Sequence, residues 1–142
     1  MSYTEGGIRE IRLARRADLN SVADITGATW GPAFQPFEIV GIAAVIDNDI
    51  AAAGVVKFDK RPTFGSDTGR GDGDVGVLNL ATTHLQGKVV YKEVTPIKIS
   101  PGQEVVAEVT DATGASDTAD IIIYVRPASE VPANLSAMVA ST

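Results

Sequence analysis

From residue 37 onward, short runs rich in valine and isoleucine recur at intervals of roughly 8–12 residues, each stopped by glycine, proline or an Asp/Asn cluster. No other feature of the chain limits its fold as strongly. A branched Cβ is stiff and packs well between neighbouring strands, so these runs favour pleated sheet. Residues 104–110 show the pattern best. Val105, Ala107 and Val109 alternate with Glu104, Val106 and Glu108, which makes one apolar and one half-solvated face. Ile121-Ile122-Ile123-Tyr124-Val125 is apolar on both faces and predicts a central strand. Residues 75–80, 88–94 and 97–99 add shorter strands, with Pro101-Gly102 and Gly114 in turns. Between the apolar runs 38–46 and 50–58, Asp47-Asn48-Asp49 predicts a tight hairpin, because Asn and Asp tolerate positive φ. Together these signals predict a mainly β chain, folded as a compact antiparallel sandwich or barrel over residues 37–127.

The flanks read differently. In residues 1–36, Ile8, Ile11 and Leu13 are scattered among charges, and Leu19, Val22 and Ile25 have the threefold spacing of a short helical turn. This predicts an extended N-terminal arm and peripheral segment. Residues 128–142 are short on charge, contain Pro132 and many small residues, and predict a second, C-terminal arm. Residues 59–76 are crowded with glycine and aspartate and predict a long loop, a feature that compact domains keep for function or leave without fixed structure.

Charge is unevenly placed. The net charge is −6, yet Arg9, Arg12, Arg15 and Arg16 outnumber Glu5 and Glu10, so the first 16 residues carry +2 and the remainder −8. A basic leader on an acidic body suits an arm that grips a partner; the alternative is a solvated N-terminal edge strand. The acidic body argues against nucleic acid, whose phosphates need a basic face. Trp30, Phe34 and Phe37 lie close together and read either as a plug for the end of a sheet or as a hot spot for a partner. The candidate partner-binding residues are therefore Arg9, Arg12, Arg15, Arg16, Trp30 and Phe34.

The inventory for chemistry is short. There is no cysteine and a single histidine, His84, without a Gly-x-Ser-x-Gly nucleophile motif, and His84 reads as a turn residue. Asp67, Asp72 and Asp74 match no calcium-loop spacing, and Arg70-Gly71-Asp72 is an adhesion tripeptide that recurs by chance. No phosphate-binding loop is present. The apolar stretch 39–56 is broken by Asp47 and Asp49, which argues against a membrane span. The expectation is a non-enzymatic structural protein that uses no cofactor and no metal.

One set of segments has a family look: Lys60-Arg61-Pro62-Thr63, then Gly87-Lys88-Val89-Val90-Tyr91-Lys92, then Pro101-Gly102-Gln103-Glu104-Val105-Val106 running into Val109-Thr110-Asp111-Ala112. Over about residues 55–127 the chain resembles the small β proteins encoded among the head genes of tailed bacteriophages, the decoration or cement proteins. The resemblance implies a protein made in the host cytoplasm that binds the outer surface of the assembled capsid, contacts the major capsid protein and bridges capsomers, commonly as a trimer. Self-association also accords with the apolar stretch 39–56 and the Trp30/Phe34/Phe37 cluster, which offer more apolar surface than one small sandwich needs. Another phage head or tail component would share these features. An immunoglobulin-like adhesion module is the alternative from a different class.

Overall fold

The computed structural model describes residues 7–31, 36–62, 74–114 and 116–128. Among them run eight strands: β1 (Arg9–Asp18), β2 (Ala23–Trp30), β3 (Phe37–Ile46), β4 (Gly54–Pro62), β5 (Gly76–Leu80), β6 (Val89–Ile99), β7 (Gln103–Asp111) and β8 (Thr118–Pro127). They form two four-stranded antiparallel sheets, ordered β1-β8-β3-β6 and β2-β7-β4-β5. The pairs β1·β8, β2·β7, β3·β6 and β4·β5 are nested, as if one long hairpin had been wound into a sandwich. This is the strand order of a jelly roll. It differs from the immunoglobulin arrangement, in which the first two strands are neighbours in one sheet.

The core lies between the sheets, where alternate residues of both meet. Ile39, Ile42 and Ile46 of β3 and Ile121, Ile123 and Val125 of β8 face Val56 and Phe58 of β4 and Val105, Ala107 and Val109 of β7. All are at most 2% exposed. Burying one such isoleucine stabilises the fold by about 1.5–3 kcal/mol relative to leaving it in water. The alternation at residues 105–109 and the central position of β8, between β1 and β3, are as the sequence predicts.

Three expectations need correction. Residues 9–30 are not an arm, because β1 and β2 are edge strands paired to β8 and β7, and no helical turn forms over 17–25. Their apolar pattern was hard to see because pairing slips between Arg12 and Ala14 and again between Ala14 and Ala17. The two bulges break the alternation between the buried residues Leu13 and Ala17, where Ala14 packs against the core and Arg15 is exposed. The second correction concerns 38–46 and 50–58, which do not form a hairpin. β3 and β4 lie in different sheets, and residues 47–53 carry the chain between them. Third, the apolar stretch 39–56 is not surplus surface, since it supplies the core residues just named. The C-terminal arm lies outside the described residues beyond Ala128, which is buried and donates its N–H to Pro36 O at 3.2 Å.

The four sheet edges are all guarded. β5 is short, β1 and β2 carry register shifts, and β6 has Pro96 with Lys92 and Lys98. Such devices oppose edge-to-edge strand addition.

Candidate interaction surfaces

Four connections, β1–β2, β3–β4, β5–β6 and β7–β8, meet at one end of the sandwich. The turn-forming residues predicted to close a hairpin serve there to bond one connection to the next. Asp47 accepts the Thr118 hydroxyl at 2.8 Å and the Arg16 Nε at 3.2 Å. These two donors, the Thr118 hydroxyl first, hold its carboxyl below the usual carboxylate range. Asn48 accepts the Thr118 N–H at 2.9 Å and donates to Asp117 at 3.3 Å. Asp117 is 1% exposed and also accepts the Ala51 N–H at 2.9 Å. Thr113 donates its N–H and its hydroxyl to Leu19 O, and Leu19 returns its N–H to Asp117 O. Asp49 accepts the Gln86 N–H, and Ile50 donates to His84 O. His84 is a turn residue, as expected; its Nδ1 accepts the Ala81 N–H at 2.9 Å.

The opposite end is built otherwise. Gly7, Trp30, Phe37, Pro62, Ile99, Gln103 and Ala128 lie there, and segments 1–6, 32–35, 63–73 and 129–142 all attach to it. Trp30 meets Phe37 edge-on at 5.5 Å between ring centroids and packs against the core, which is the plug reading of this cluster. Arg9 lies over the Phe37 ring at 5.8 Å. Arg61 pairs with Glu104 at 2.8 Å, and Arg126 with Glu38 at 3.2 Å. Phe34, Asp67, Asp72 and the Arg-Gly-Asp tripeptide fall outside the described residues. Asp74 accepts the Lys60 N–H at 3.0 Å.

The four N-terminal arginines are thus divided rather than gathered. Arg9 belongs to the aromatic plug, whereas Arg12 pairs with Asp120 at 3.9 Å and Arg16 with Asp47 near the other end. Arg16 also sits at φ +49° in the β1 bulge, where its N–H donates to Asp120 at 2.8 Å. Arg15 is exposed beside a groove of about 530 Å³ between β1 and β2, lined also by Leu13, Asp18, Asp24 and Ile25. A single basic grip does not form.

A surface that sequence reading missed lies on the outer face of the β1-β8-β3-β6 sheet. Cross-strand register sets Glu93, Gly41, Tyr124 and Glu10 in one row, and Tyr91, Ala43, Ile122 and Arg12 in the next. Tyr91 and Tyr124 meet edge-on with centroids 5.5 Å apart. Gly41 permits this: a Cβ there would lie 2.8 Å from the Tyr91 hydroxyl oxygen and 2.9 Å from a ring carbon. Ala43 and Ile122 are 0% and 4% exposed yet stand apart from the main core, forming a second, shallow apolar layer. Tyr91 remains 54% exposed above the sheet. Burial first, then the Glu10 carboxylate and Tyr91, push the Tyr124 phenol above its usual range. The available signal was Tyr91 and Tyr124 on the solvent-facing parity of their strands, but pairing them required the strand order.

No family model matches this chain, and neither a curated protein nor a solved structure matches it. Among the described residues, no group of three or more His, Cys, Asp or Glu side chains is placed to hold a metal ion. Among them, too, no helix is long and apolar enough to cross a membrane.

Proposed function

We propose that this chain is a structural protein of a tailed-phage head, which binds the outer surface of the assembled capsid and bridges capsomers. One observation supports the reading beside the sequence resemblance: the sandwich has one end whose connections are bonded to one another by their own side chains, and one end that presents the Trp30–Phe37 plug and the exposed margins of the ion pairs Arg61–Glu104 and Arg126–Glu38. A body braced in this way at one end suits attachment to a lattice through the other, with the closed end facing away. Contacts from several copies of that end on one oligomer, a trimer in this reading, reinforce one another when the lattice spacing matches. Jelly rolls also serve in viral capsid and lectin domains, a likeness of architecture alone. The contact partner is the major capsid protein, and the location is the outside of the virion.

The test is to mix the purified chain with heads that lack it and to count bound copies by quantitative mass spectrometry. Many copies per head at saturation, and particles that then resist disruption by heat, are the expected result. One or a few copies per particle, or none, would overturn the proposal.

A further inference from the structure

We propose that the Tyr91–Tyr124 face of the β1-β8-β3-β6 sheet is a docking site for a cationic side chain of a partner protein, arginine by preference. This goes beyond the capsid reading and does not depend on what the open end binds.

Three observations support it. The first is the exposed ring of Tyr91, held against the sheet by the missing side chain at Gly41 and buttressed edge-on by Tyr124. The face of such a ring carries negative electrostatic potential and attracts a guanidinium or ammonium group. The second is charge. Each tyrosine has a carboxylate beside it on the same face, Glu93 two residues along β6 from Tyr91 and Glu10 across the strand pair from Tyr124. Neither glutamate makes an ion pair among the described residues, while on the same face Arg12 pairs with Asp120 and Arg126 with Glu38, and Lys98 stands opposite Glu38 at the far end of β6. The third is that the molecule already uses this chemistry elsewhere, laying Arg9 over Phe37 at the open end. The tyrosine pair has the ring and the carboxylates, and among the described residues no cation lies over either ring.

Arginine fits better than lysine because its planar group can lie on the ring and present its edge N–H donors to a carboxylate together. The guarded edge of β6 means that such a partner contributes side chains and not an added strand. Glu93 and Tyr91 then act as the centre of a small interface, with Val89, more than half exposed, two residues along β6 from Tyr91.

The experiment is an NMR titration of the full chain with the blocked peptide acetyl-Gly-Arg-Gly-amide, following the tyrosine ring resonances. Lysine and citrulline versions of the peptide, and the neutral sugar maltotriose, serve as comparisons. The arginine peptide should shift the Tyr91 and Tyr124 resonances saturably, the lysine peptide more weakly, and citrulline and maltotriose hardly at all. Glu93→Gln and Glu10→Gln should each weaken binding roughly three-fold, and Tyr91→Ala should abolish it. Raising salt to about 0.5 M should weaken it further. Equal binding of citrulline, preferential binding of maltotriose, or no shift with arginine would each overturn the proposal. So would a concentration-dependent self-association that Tyr91→Ala removes, since a second copy would then be the occupant. Failure of head binding with a positive titration, or the reverse, separates this proposal from the capsid reading.

Discussion

The two ends of the sandwich solve the same problem with different chemistry. At both, connections must leave the sheets and their backbone groups must find partners. At the closed end the partners are short polar side chains on other connections: Asp47, Asn48, Asp117 and Thr113 each bond a segment far away in sequence. At the open end, among the described residues, rings and long ion pairs join the side chains, Trp30 on Phe37, Arg9 on Phe37 and Arg61 on Glu104, and the side-chain bonds to backbone stay local, Asp74 on the Lys60 N–H and Gln103 on the Ser100 N–H. A short carboxylate receiving backbone N–H donors fixes a loop with little side-chain entropy to lose. A long ion pair holds its partners more loosely and is screened by salt. The difference teaches that, among the described residues, one end is held by short polar bridges between distant connections and the other by packed rings and ion pairs.

The strongest way to break this contrast is Asp117→Ala. It leaves the Ala51 N–H and the Asn48 amide without their acceptor in a buried place, and should cost about 3 kcal/mol in urea unfolding. A loss of under about 1 kcal/mol would mean that the closed end is not held by this network. Next is Gly54→Ala, whose new Cβ would lie 2.8 Å from Asp111 O and 3.0 Å from Thr113 N. Backbone on both sides leaves little room to relax, so about 2 kcal/mol of destabilisation is expected. At the open end, Arg61→Ala removes an ion pair whose arginine is 23% exposed, and should lower stability by only about 1 kcal/mol. If it costs as much as Asp117→Ala, the two ends are equally specified.

The smallest effect is one of pH. Asp47 has its carboxyl lowered in the folded chain, so the folded state binds that proton less readily than the unfolded one. Its contribution is therefore present above the ordinary carboxylate range and lost as pH falls through the lowered value. Melting temperatures of the parent and of Asp47→Asn should differ near neutrality and converge in acid. A difference that persists in acid would assign the contribution to shape instead of charge.

Much of the fold was legible because a strand with one wet face announces itself. Val105, Ala107 and Val109 needed no partner to be read, and the run at 121–125 marked itself as central by being apolar on both faces. β1 and β2 were illegible for a physical reason. Edge strands guarded by bulges and charges bury few side chains, and each register shift resets the alternation by which a strand is recognised. The aromatic plug was half legible, since Trp30 and Phe37 are close in sequence. The arginines were misread as one group because spacing along a chain says nothing about which end of a strand each residue reaches.

Local sequence thus determined what can be decided between neighbours: strand character, the inward parity of side chains, and the turn residues that stop each run. Tertiary structure alone decided which strands became neighbours, and with that everything that depends on meeting across the sheet. Asp47 received Thr118 instead of closing its own hairpin because β3 and β4 part company into different sheets. Tyr91 met Tyr124 because Gly41, on a third strand between them, left the space for it. Side-chain pattern is fixed within a few residues, whereas a contact between strands depends on sheet order, and sheet order is a property of the whole packed core.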